Sequence, residues 1–176
     1  YYRQYQQGRL DIDEYLSFAL GPMAGMTPET LSALQDKFLK RHVEPILLDA
    51  AFDLLQAHRV KGDTLIIITA TNTLVTQPIA NRLGVEHLIG CEAELEDGRY
   101  TGKPEGVPSY GEGKVQRIKA WCAEHQTSFE GAVFYSDSHN DLPLLREVAQ
   151  AIAVDPDDLL RVEAQKCGWE IISLRP

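Results

Sequence analysis

Residues 132–142 read AVFYSDSHNDL, an apolar and aromatic run that passes directly into polar residues and two aspartates. A short apolar run bounded by turn residues is typical of a buried strand in a parallel sheet. The residues from Leu142 onward, LPLLREV, predict the start of a helix. Asp137 and Asp141 would therefore lie on the loop at the carboxyl end of a strand, where open α/β sheets bind their ligands. Carboxylates at such an edge suit Mg2+, which takes oxygen ligands and usually keeps waters or substrate phosphate in its shell.

The same aspartates also have a purely structural interpretation. Asp, Asn and Ser are common in turns and at helix N-caps, so Asp137 taken alone is more readily explained as structural than as catalytic. The complete order of buried strand, aspartate, three-residue gap, aspartate and helix is harder to explain in that way. We therefore favour a metal or phosphate site.

The composition limits the class of protein. A chain of 176 residues is long enough for one α/β domain with a small additional lobe. The net charge of −9 argues against nucleic acid or an anionic membrane as the main partner, although Mg2+ and a few lysines could still hold a phosphate. The three cysteines are widely spaced and form no CxxC pair, which predicts a cytoplasmic protein without zinc or disulfides. No signal peptide or transmembrane run is visible, but the chain begins with Tyr1, so we expect a missing amino-terminal piece.

The pattern along the chain changes near residue 45. Residues 1–43 have helical spacing, interrupted by a Gly- and Pro-rich segment, and Thr27-Pro28 predicts a helix start. The following residues alternate between strand and helix patterns, which predicts an α/β fold with a mostly parallel sheet flanked by helices. Strands are predicted at residues 64–69, 132–135, 151–154 and 170–174, with a hairpin at 92–101; helices are predicted at 48–58, 72–83 and 114–125, after 142, and from Asp155-Pro156 onward.

Two further residues are candidates for binding a phosphate. Thr69 ends an apolar strand as Asp137 does, and its hydroxyl together with backbone N–H groups at the next helix could bind an anion. Alternatively, Thr71 or Thr73 simply caps that helix. Lys114 begins a helix, where its charge opposes the helix dipole. Exposed lysines usually have no specific role, but a lysine at this edge could neutralise a phosphate or a carboxylate.

Thr69, Lys114 and Asp137 to Asp141, in that order, resemble the second, third and fourth motifs of the haloacid dehalogenase (HAD) superfamily. Residues 136–145, SDSHNDLPLL, are similar to its phosphoserine phosphatase-like branch, as are the Asp97-Gly98 hairpin and the later residues 153–156, AVDP. The resemblance covers about residues 45–175. It implies a Rossmann-like core at residues 45–176 that lacks its first strand, and a helical cap region at residues 1–44.

The resemblance implies a phosphatase that acts on a small phosphorylated metabolite with Mg2+ as cofactor. In this family an Asp attacks phosphorus to form an aspartyl-phosphate, and a second Asp two residues later protonates the leaving group and then activates water. By motif matching, Asp137 would bind Mg2+, while Asp141 would orient metal-bound waters or hold Lys114. Lys114 would neutralise the nucleophile and the transferred phosphoryl group.

The remaining matched residues would contact the substrate. Thr69 and the Ala70 amide would bind phosphate oxygens, and Asn140 would contact the substrate or its phosphate. Phosphoserine and histidinol phosphate are the substrate types that fit the branch. True phosphoserine phosphatases usually carry Ser-Gly-Gly where this chain has TAT at residues 69–71, which counts against phosphoserine itself.

The first motif of the family, an apolar strand ending in DxD, is absent from this sequence. Asp11-Ile12-Asp13 has the spacing, but the polar residues QQGR before it cannot form a buried strand, and the residues after it continue a helical pattern. We therefore interpret it as an exposed helical segment and expect the true motif upstream of Tyr1. The chain alone is accordingly predicted to be inactive.

Three alternatives remain open. One is a non-catalytic relative that binds Mg2+ or a phosphorylated ligand without turnover. A second is a phosphoacceptor receiver domain, which is disfavoured because the carboxylates come late in the chain and helices precede the first strand. A third is a dehalogenase of the same superfamily, which would not need a metal at Asp137. The sequence does not predict the oligomeric state.

Overall fold

The chain divides into two units, each with its own three-stranded sheet. The computed structural model describes every residue from Tyr1 to Pro176. The first unit contains Tyr1 and Leu10–Ser109, and the second contains Tyr2–Arg9 and Tyr110–Pro176. The expected division into a cap at 1–44 and a core at 45–176 stays a prediction.

Eight α-helices occur along the chain: α1 Tyr2–Gln6, α2 Ile12–Leu20, α3 Pro28–Phe38, α4 Asp49–Lys61, α5 Thr73–Leu83, α6 Glu112–Glu124, α7 Leu142–Leu145 and α8 Asp158–Cys167. Six strands accompany them: β1 Ile66–Asn72, β2 His87–Glu96, β3 Arg99–Glu105, β4 Val133–Ser136, β5 Gln150–Val154 and β6 Glu170–Ile172. Short 3-10 or π turns lie at Gly21–Met23, Leu39–Val43, Glu44–Ile46 and His139–Asp141. None of these helices has the length and apolar character needed to cross a membrane.

Two helices of the first unit, α2 and α3, begin at side-chain caps. Asp11 caps α2 by accepting from the Glu14 amide at 3.0 Å. Thr27 caps α3 by accepting from the Thr30 amide at 3.3 Å, and Pro28 takes the first helical position as predicted. Apolar side chains from these helices pack with α5 and β2 in a cluster of buried residues: Leu16, Leu20, Leu31, Leu74 and Cys91.

The first sheet has the order β1-β2-β3 and contains the predicted hairpin. β1 and β2 are parallel, whereas β2 and β3 are antiparallel and joined at Asp97-Gly98. Both turn residues have positive φ, 47° and 74°, as a tight hairpin turn requires. Regular pairing of β1 with β2 breaks between Ile68 and Asn72, so residues 69–71 lie in an irregular stretch of the strand.

The second sheet has the order β4-β5-β6 and is entirely parallel. Its buried cluster joins α7, β5 and α8: Leu145, Ala151, Ala153, Leu160 and Ala164. The helix predicted to open at Asp155-Pro156 instead begins at Asp158 with Asp157 as its N-cap. Asp155 cannot open it because its φ is +44°, outside the helical region.

These elements confirm the α/β class, since all the strand pairings except β2 with β3 are parallel and helices connect the strands. The strands are divided between two sheets rather than gathered in one. β1 pairs only with β2 and β4 only with β5, so each of these two strands leaves one edge unpaired.

Candidate active site

The carboxyl end of β4 carries most of the candidate residues. Ser136 is the last residue of β4, and residues 137–141 form a loop and one 3-10 turn before α7. β5 lies beside β4 in parallel with Ser136 opposite Ala153, so the loops that follow both strands leave the same edge of the sheet. This is the place where open α/β sheets bind ligands.

Lys114 and Asp141 form a buried ion pair at this edge. Lys114 is 5% exposed and Asp141 is 8% exposed, and the Lys114 Nζ lies 2.6 Å from the Asp141 Oδ1. The Ser136 hydroxyl donates to the other carboxylate oxygen, Oδ2, at 2.8 Å. A buried charge is tolerated only when it is paired and hydrogen-bonded, and both conditions hold here.

The position of Lys114 explains how a lysine comes to be buried at a helix start. It lies in the first turn of α6, directly after Gly113, and the helix follows Gly111, whose φ is +53°. The helix dipole disfavours a cation at this end, so the nearby carboxylate must outweigh it. Asp141 contacts Lys114, as expected from the second of the two roles that the resemblance implies for it.

Asp137 lies next to this pair but forms no ion pair of its own. Its pKa is raised, chiefly because the surrounding protein partly desolvates the carboxylate, and also by the negative charges of Asp141 and Asp157. Its own amide and Lys114 act in the opposite direction. A group in this situation gains from a nearby cation, because a cation offsets both the repulsion and the desolvation.

The donors at this edge fit Mg2+ in part. No group of three or more His, Cys, Asp and Glu side chains is arranged to hold a metal. Asp141 is engaged by Lys114 and Ser136, and Asp157 caps α8 and binds His139, which leaves Asp137 as the carboxylate without a basic partner. Mg2+ commonly uses only one or two carboxylates together with waters and substrate phosphate, so a single carboxylate provides part of such a site.

Asn140 is hydrogen-bonded to two tyrosines that are not part of the predicted motifs. The Tyr110 hydroxyl donates to the Asn140 Oδ1 at 2.8 Å, and the Asn140 Nδ2 donates to the Tyr5 carbonyl at 3.3 Å. The Tyr5 hydroxyl donates to the Ser138 hydroxyl at 2.7 Å. Burial raises the pKa of both tyrosines, so their hydroxyls stay neutral at neutral pH.

Thr69 and Ala70 belong to the first unit. The Thr69 hydroxyl accepts from the Thr71 amide at 3.2 Å, within the irregular part of β1, which continues to Asn72 rather than ending at residue 69. Neither Thr71 nor Thr73 caps α5, because the Asn72 Oδ1 accepts from the Val75 amide at 3.2 Å and takes that role. That Thr69 and Ala70 meet Lys114 and Asp137 stays a prediction.

The Asp11-Ile12-Asp13 segment is exposed and helical, as expected. Asp11 is the N-cap of α2 and Asp13 lies in its first turn. Both aspartates are exposed, and no strand precedes them. The segment therefore does not supply a carboxylate at the end of a buried strand.

The sequence profile of haloacid dehalogenase-like hydrolases matches residues 2–146. A histidinol-phosphatase of Neisseria meningitidis serogroup C (strain 8013) is 38% identical over 99% of this chain and 81% of that protein. The phosphoserine phosphatase SerB1 of Mycobacterium tuberculosis is 33% identical over 89% of this chain. This chain spans only about half of SerB1, 51% of its length.

Solved structures show the same fold. A protein of unknown function from Bordetella pertussis Tohama I superposes with a TM-score of 0.92 at 41% identity, covering 98% of this chain and 79% of that one. A phosphoserine phosphatase solved as a phospho-aspartyl intermediate analogue gives a TM-score of 0.70 at 16% identity, covering 98% and 77%. The second likeness concerns the fold alone.

Proposed function

Because the chain belongs to the haloacid dehalogenase-like hydrolase family, we propose that its site serves a Mg2+-dependent phosphatase acting on small phosphorylated metabolites. Family membership confirms the resemblance drawn from the Thr69, Lys114 and Asp137 motifs. The observation that carries the proposal is the buried Lys114–Asp141 ion pair beside Asp137, an aspartate without a basic partner. The Lys114 ammonium group and a divalent ion bound by Asp137 would together offset the negative charge of a phosphoryl group.

The proposed reaction cleaves the ester P–O bond by way of an aspartyl-phosphate. A carboxylate oxygen of one Asp bonds to phosphorus, and the ester oxygen leaves with a proton from a second Asp two residues later. The second Asp then takes a proton from water, whose oxygen attacks phosphorus. The P–O bond to the first Asp breaks, which restores its carboxylate and releases inorganic phosphate. This route divides one difficult displacement into two easier ones. Mg2+, when bound, would screen the negative charge of the phosphoryl oxygens.

The residues of the second unit take defined parts in this scheme. Lys114 would neutralise the attacking carboxylate and the transferred phosphoryl group, and Asp141 would hold its ammonium group in place through the 2.6 Å contact. Asp137 would bind Mg2+ through its carboxylate. Since Lys114 has little freedom when buried and paired, its charge would be in position before substrate arrives.

The phosphate contacts of Thr69, Ala70 and Asn140 are also part of the proposal. The Thr69 hydroxyl and the Ala70 amide would donate to phosphate oxygens. Asn140 would donate from its amide nitrogen, which at present is bonded to the Tyr5 carbonyl and the Ser138 hydroxyl. Substrate contact at Asn140 therefore requires that one of these bonds be exchanged.

Among small phosphomonoesters, we favour histidinol phosphate over phosphoserine. The histidinol-phosphatase relative matches nearly the whole of this chain and 81% of its own length. The side chains of Thr69 and Thr71 stand where phosphoserine phosphatases usually have Ser and Gly, and they would occupy space beside the phosphate. A comparison of kcat/KM for the two substrates tests this preference.

The nucleophile is expected upstream of Tyr1, so the chain of 176 residues should not turn over substrate. The test assays this chain and a polypeptide extended by the upstream coding sequence, both with Mg2+ and p-nitrophenyl phosphate. We expect turnover only in the extended polypeptide, and loss of that turnover in its Lys114→Ala and Asp137→Asn variants. Enzyme-like turnover by the shorter chain would refute the position of the nucleophile. An inactive extended polypeptide would refute the phosphatase itself.

The second candidate function is a non-catalytic module that binds Mg2+ or a phosphorylated ligand. A coding sequence with no apolar strand ending in DxD upstream of Tyr1 would favour it, because Asp11 and Asp13 lie at the exposed start of α2 and not at the end of a buried strand. Such a module would bind inorganic phosphate with Mg2+ by calorimetry, while the extended polypeptide would remain inactive.

A further inference from the structure

The turn between β5 and α8 is bonded to the loop that carries Asp137. The amide of Asp157 donates to the Asp137 carbonyl at 2.9 Å. The backbone at the proposed metal ligand is thus fixed by a residue on the neighbouring loop, twenty positions later in the chain.

The Asp157 carboxylate joins three segments. Its Oδ2 accepts from the backbone amide and from the ring Nδ1 of His139, both at 2.8 Å. Its Oδ1 accepts from the Leu160 amide at 2.8 Å and so caps α8. Burial alone would raise the pKa of Asp157, but the N–H donors of Leu160 and His139 outweigh it and lower the pKa. Three N–H groups thus donate to this one carboxylate.

The ring of His139 depends on Asp157 for its orientation. Its other nitrogen, Nε2, is buried without a hydrogen-bond partner. Gly8 approaches that atom so closely that a Cβ on Gly8 would lie 3.3 Å from it. Asp157 therefore provides the only hydrogen bond to the ring.

The turn that holds Asp157 is anchored on its far side as well. The Asp155 amide donates to the Ile172 carbonyl at 2.9 Å, and the Asp155 carboxylate accepts from the Leu174 amide at 3.2 Å. Asp155 adopts a φ of +44°, in a region that glycine enters most readily and that Asp and Asn tolerate better than other residues. Because both ends are fixed, Asp157 can act as a rigid support for the loop beside it.

We propose that Asp157 is a positioning residue, which aims the Asp137 carboxylate at the metal by holding the Asp137 carbonyl and His139. The proposal rests on the metal role of Asp137 put forward above. Partners that support a metal ligand without touching the metal commonly affect affinity by about 10- to 100-fold. An ordinary N-cap, in contrast, would affect only the stability of α8.

Asp157→Asn separates these two roles. Asn is as good an N-cap as Asp and has the same size, so α8 keeps its cap. Its amide nitrogen, however, replaces the oxygen that accepts from His139 and cannot accept a hydrogen bond. The matched control is Asp11→Asn, at an N-cap aspartate of α2 whose side chain accepts only from Glu14. His139→Ala serves as a second variant, because it removes the ring bond while leaving the backbone amide bond.

Two measurements decide the matter, both on the 15N-labelled polypeptide extended by the upstream coding sequence. We expect Asp157→Asn to speed amide hydrogen exchange at His139 and its neighbours about 10-fold and to raise the Kd for Mg2+, followed by amide shifts, about 10-fold. His139→Ala should change both in the same direction but less, and Asp11→Asn should leave both within about twofold. Should Asp157→Asn fail to fold, the result for His139→Ala decides.

The outcomes distinguish failure of this inference from failure of the proposed metal role. Absence of Mg2+-induced shifts in the unaltered extended polypeptide, or shifts that survive Asp137→Asn, would refute the metal role itself. If Asp137→Asn abolishes the shifts but Asp157→Asn and His139→Ala leave exchange and affinity unchanged, Asp157 is only a helix cap.

Discussion

The end of β1 and the loop that follows β4 differ in where their polar side chains find partners. Within the last residues of β1, the Thr69 hydroxyl accepts from the amide two residues later, and the Asn72 side chain accepts from the amide three residues later. After β4, the Asp141 carboxylate binds Lys114 on α6, and the Ser138 hydroxyl binds Tyr5, 133 residues away. The residues at the end of β1 and the start of α5 thus bind one another and the adjacent strand β2, where the Thr73 hydroxyl donates to Glu92 at 2.9 Å. The loop after β4 depends instead on Tyr5 of α1 and Lys114 of α6.

This difference shows why a motif and a site are not the same thing. Both regions lie at the carboxyl end of a parallel strand and lead to a helix or helical turn, and both contain hydroxyl and amide side chains. Only the loop after β4 contains a buried ion pair, which is costly unless it is supported on all sides. Because burying an ion pair costs free energy, its presence here suggests a functional role, and for this reason we place the proposed reaction at the loop after β4.

The largest expected effect comes from removing the buried cation of the β4 loop. Lys114→Met keeps the length of the side chain but leaves Asp141 buried and without its partner, so we expect a loss of about 3–5 kcal/mol in unfolding free energy. Urea unfolding at neutral pH measures it. Lys119→Met on the same helix is the control, because the Lys119–Glu147 pair is 54% and 40% exposed and should contribute at most about 1 kcal/mol. Equal losses in the two variants would show that the Lys114 pair is no more than a surface contact.

A smaller difference in unfolding free energy is expected between loss of the Ser136 hydroxyl and loss of the Thr69 hydroxyl. Ser136→Ala removes a donor to the charged Asp141 and should cost about 1.5–3 kcal/mol. Thr69→Val removes a hydroxyl that accepts only from a nearby neutral amide, so its cost should be about 0.5–1.5 kcal/mol. Urea unfolding of both variants gives the comparison. A larger loss of unfolding free energy in Thr69→Val than in Ser136→Ala would contradict the contrast between the ends of the two strands.

The smallest effect concerns the cap of α5. Asn72→Ala should cost about 1 kcal/mol, because the Val75 amide loses its acceptor, whereas Asn72→Ser should restore most of that loss. Thr71→Val, at one of the positions expected to cap the helix, should leave the melting temperature nearly unchanged. Thermal unfolding by circular dichroism measures all three variants. A loss at Thr71 that matched the one at Asn72 would contradict the assigned cap.

Most of the secondary structure could be predicted from the sequence because its signals are local. Thr27-Pro28 opens α3 and Asp97-Gly98 makes the hairpin turn, since these residues favour the required backbone angles by themselves. The wrong predictions for the cap of α5 also arise from local signals. Thr71, Asn72 and Thr73 can all cap a helix, and only the backbone geometry of the irregular strand selects Asn72.

The site was predictable only to the extent that a motif contains it. The order of the motifs predicts Lys114, Asp137 and Asp141, and contact of Asp141 with Lys114 is one of the two roles that the resemblance implies for Asp141. Tyr5 and Tyr110 carried no signal, because nothing in the residues around them indicates a partner on the β4 loop. His139 and Asp157 are bonded to each other only because β4 and β5 lie side by side, which the sequence predicts for the strands but not for individual loop residues.

The left-handed conformation of Asp155 limits how this position can vary. Gly would fit the backbone but would lose the carboxylate that receives the Leu174 amide, while most other side chains would strain the turn. Asn satisfies both demands, because it tolerates this conformation and keeps an oxygen acceptor. A mutational library built on this chain should therefore recover Asp and Asn at position 155 and little else, even though no proposed chemistry takes place there.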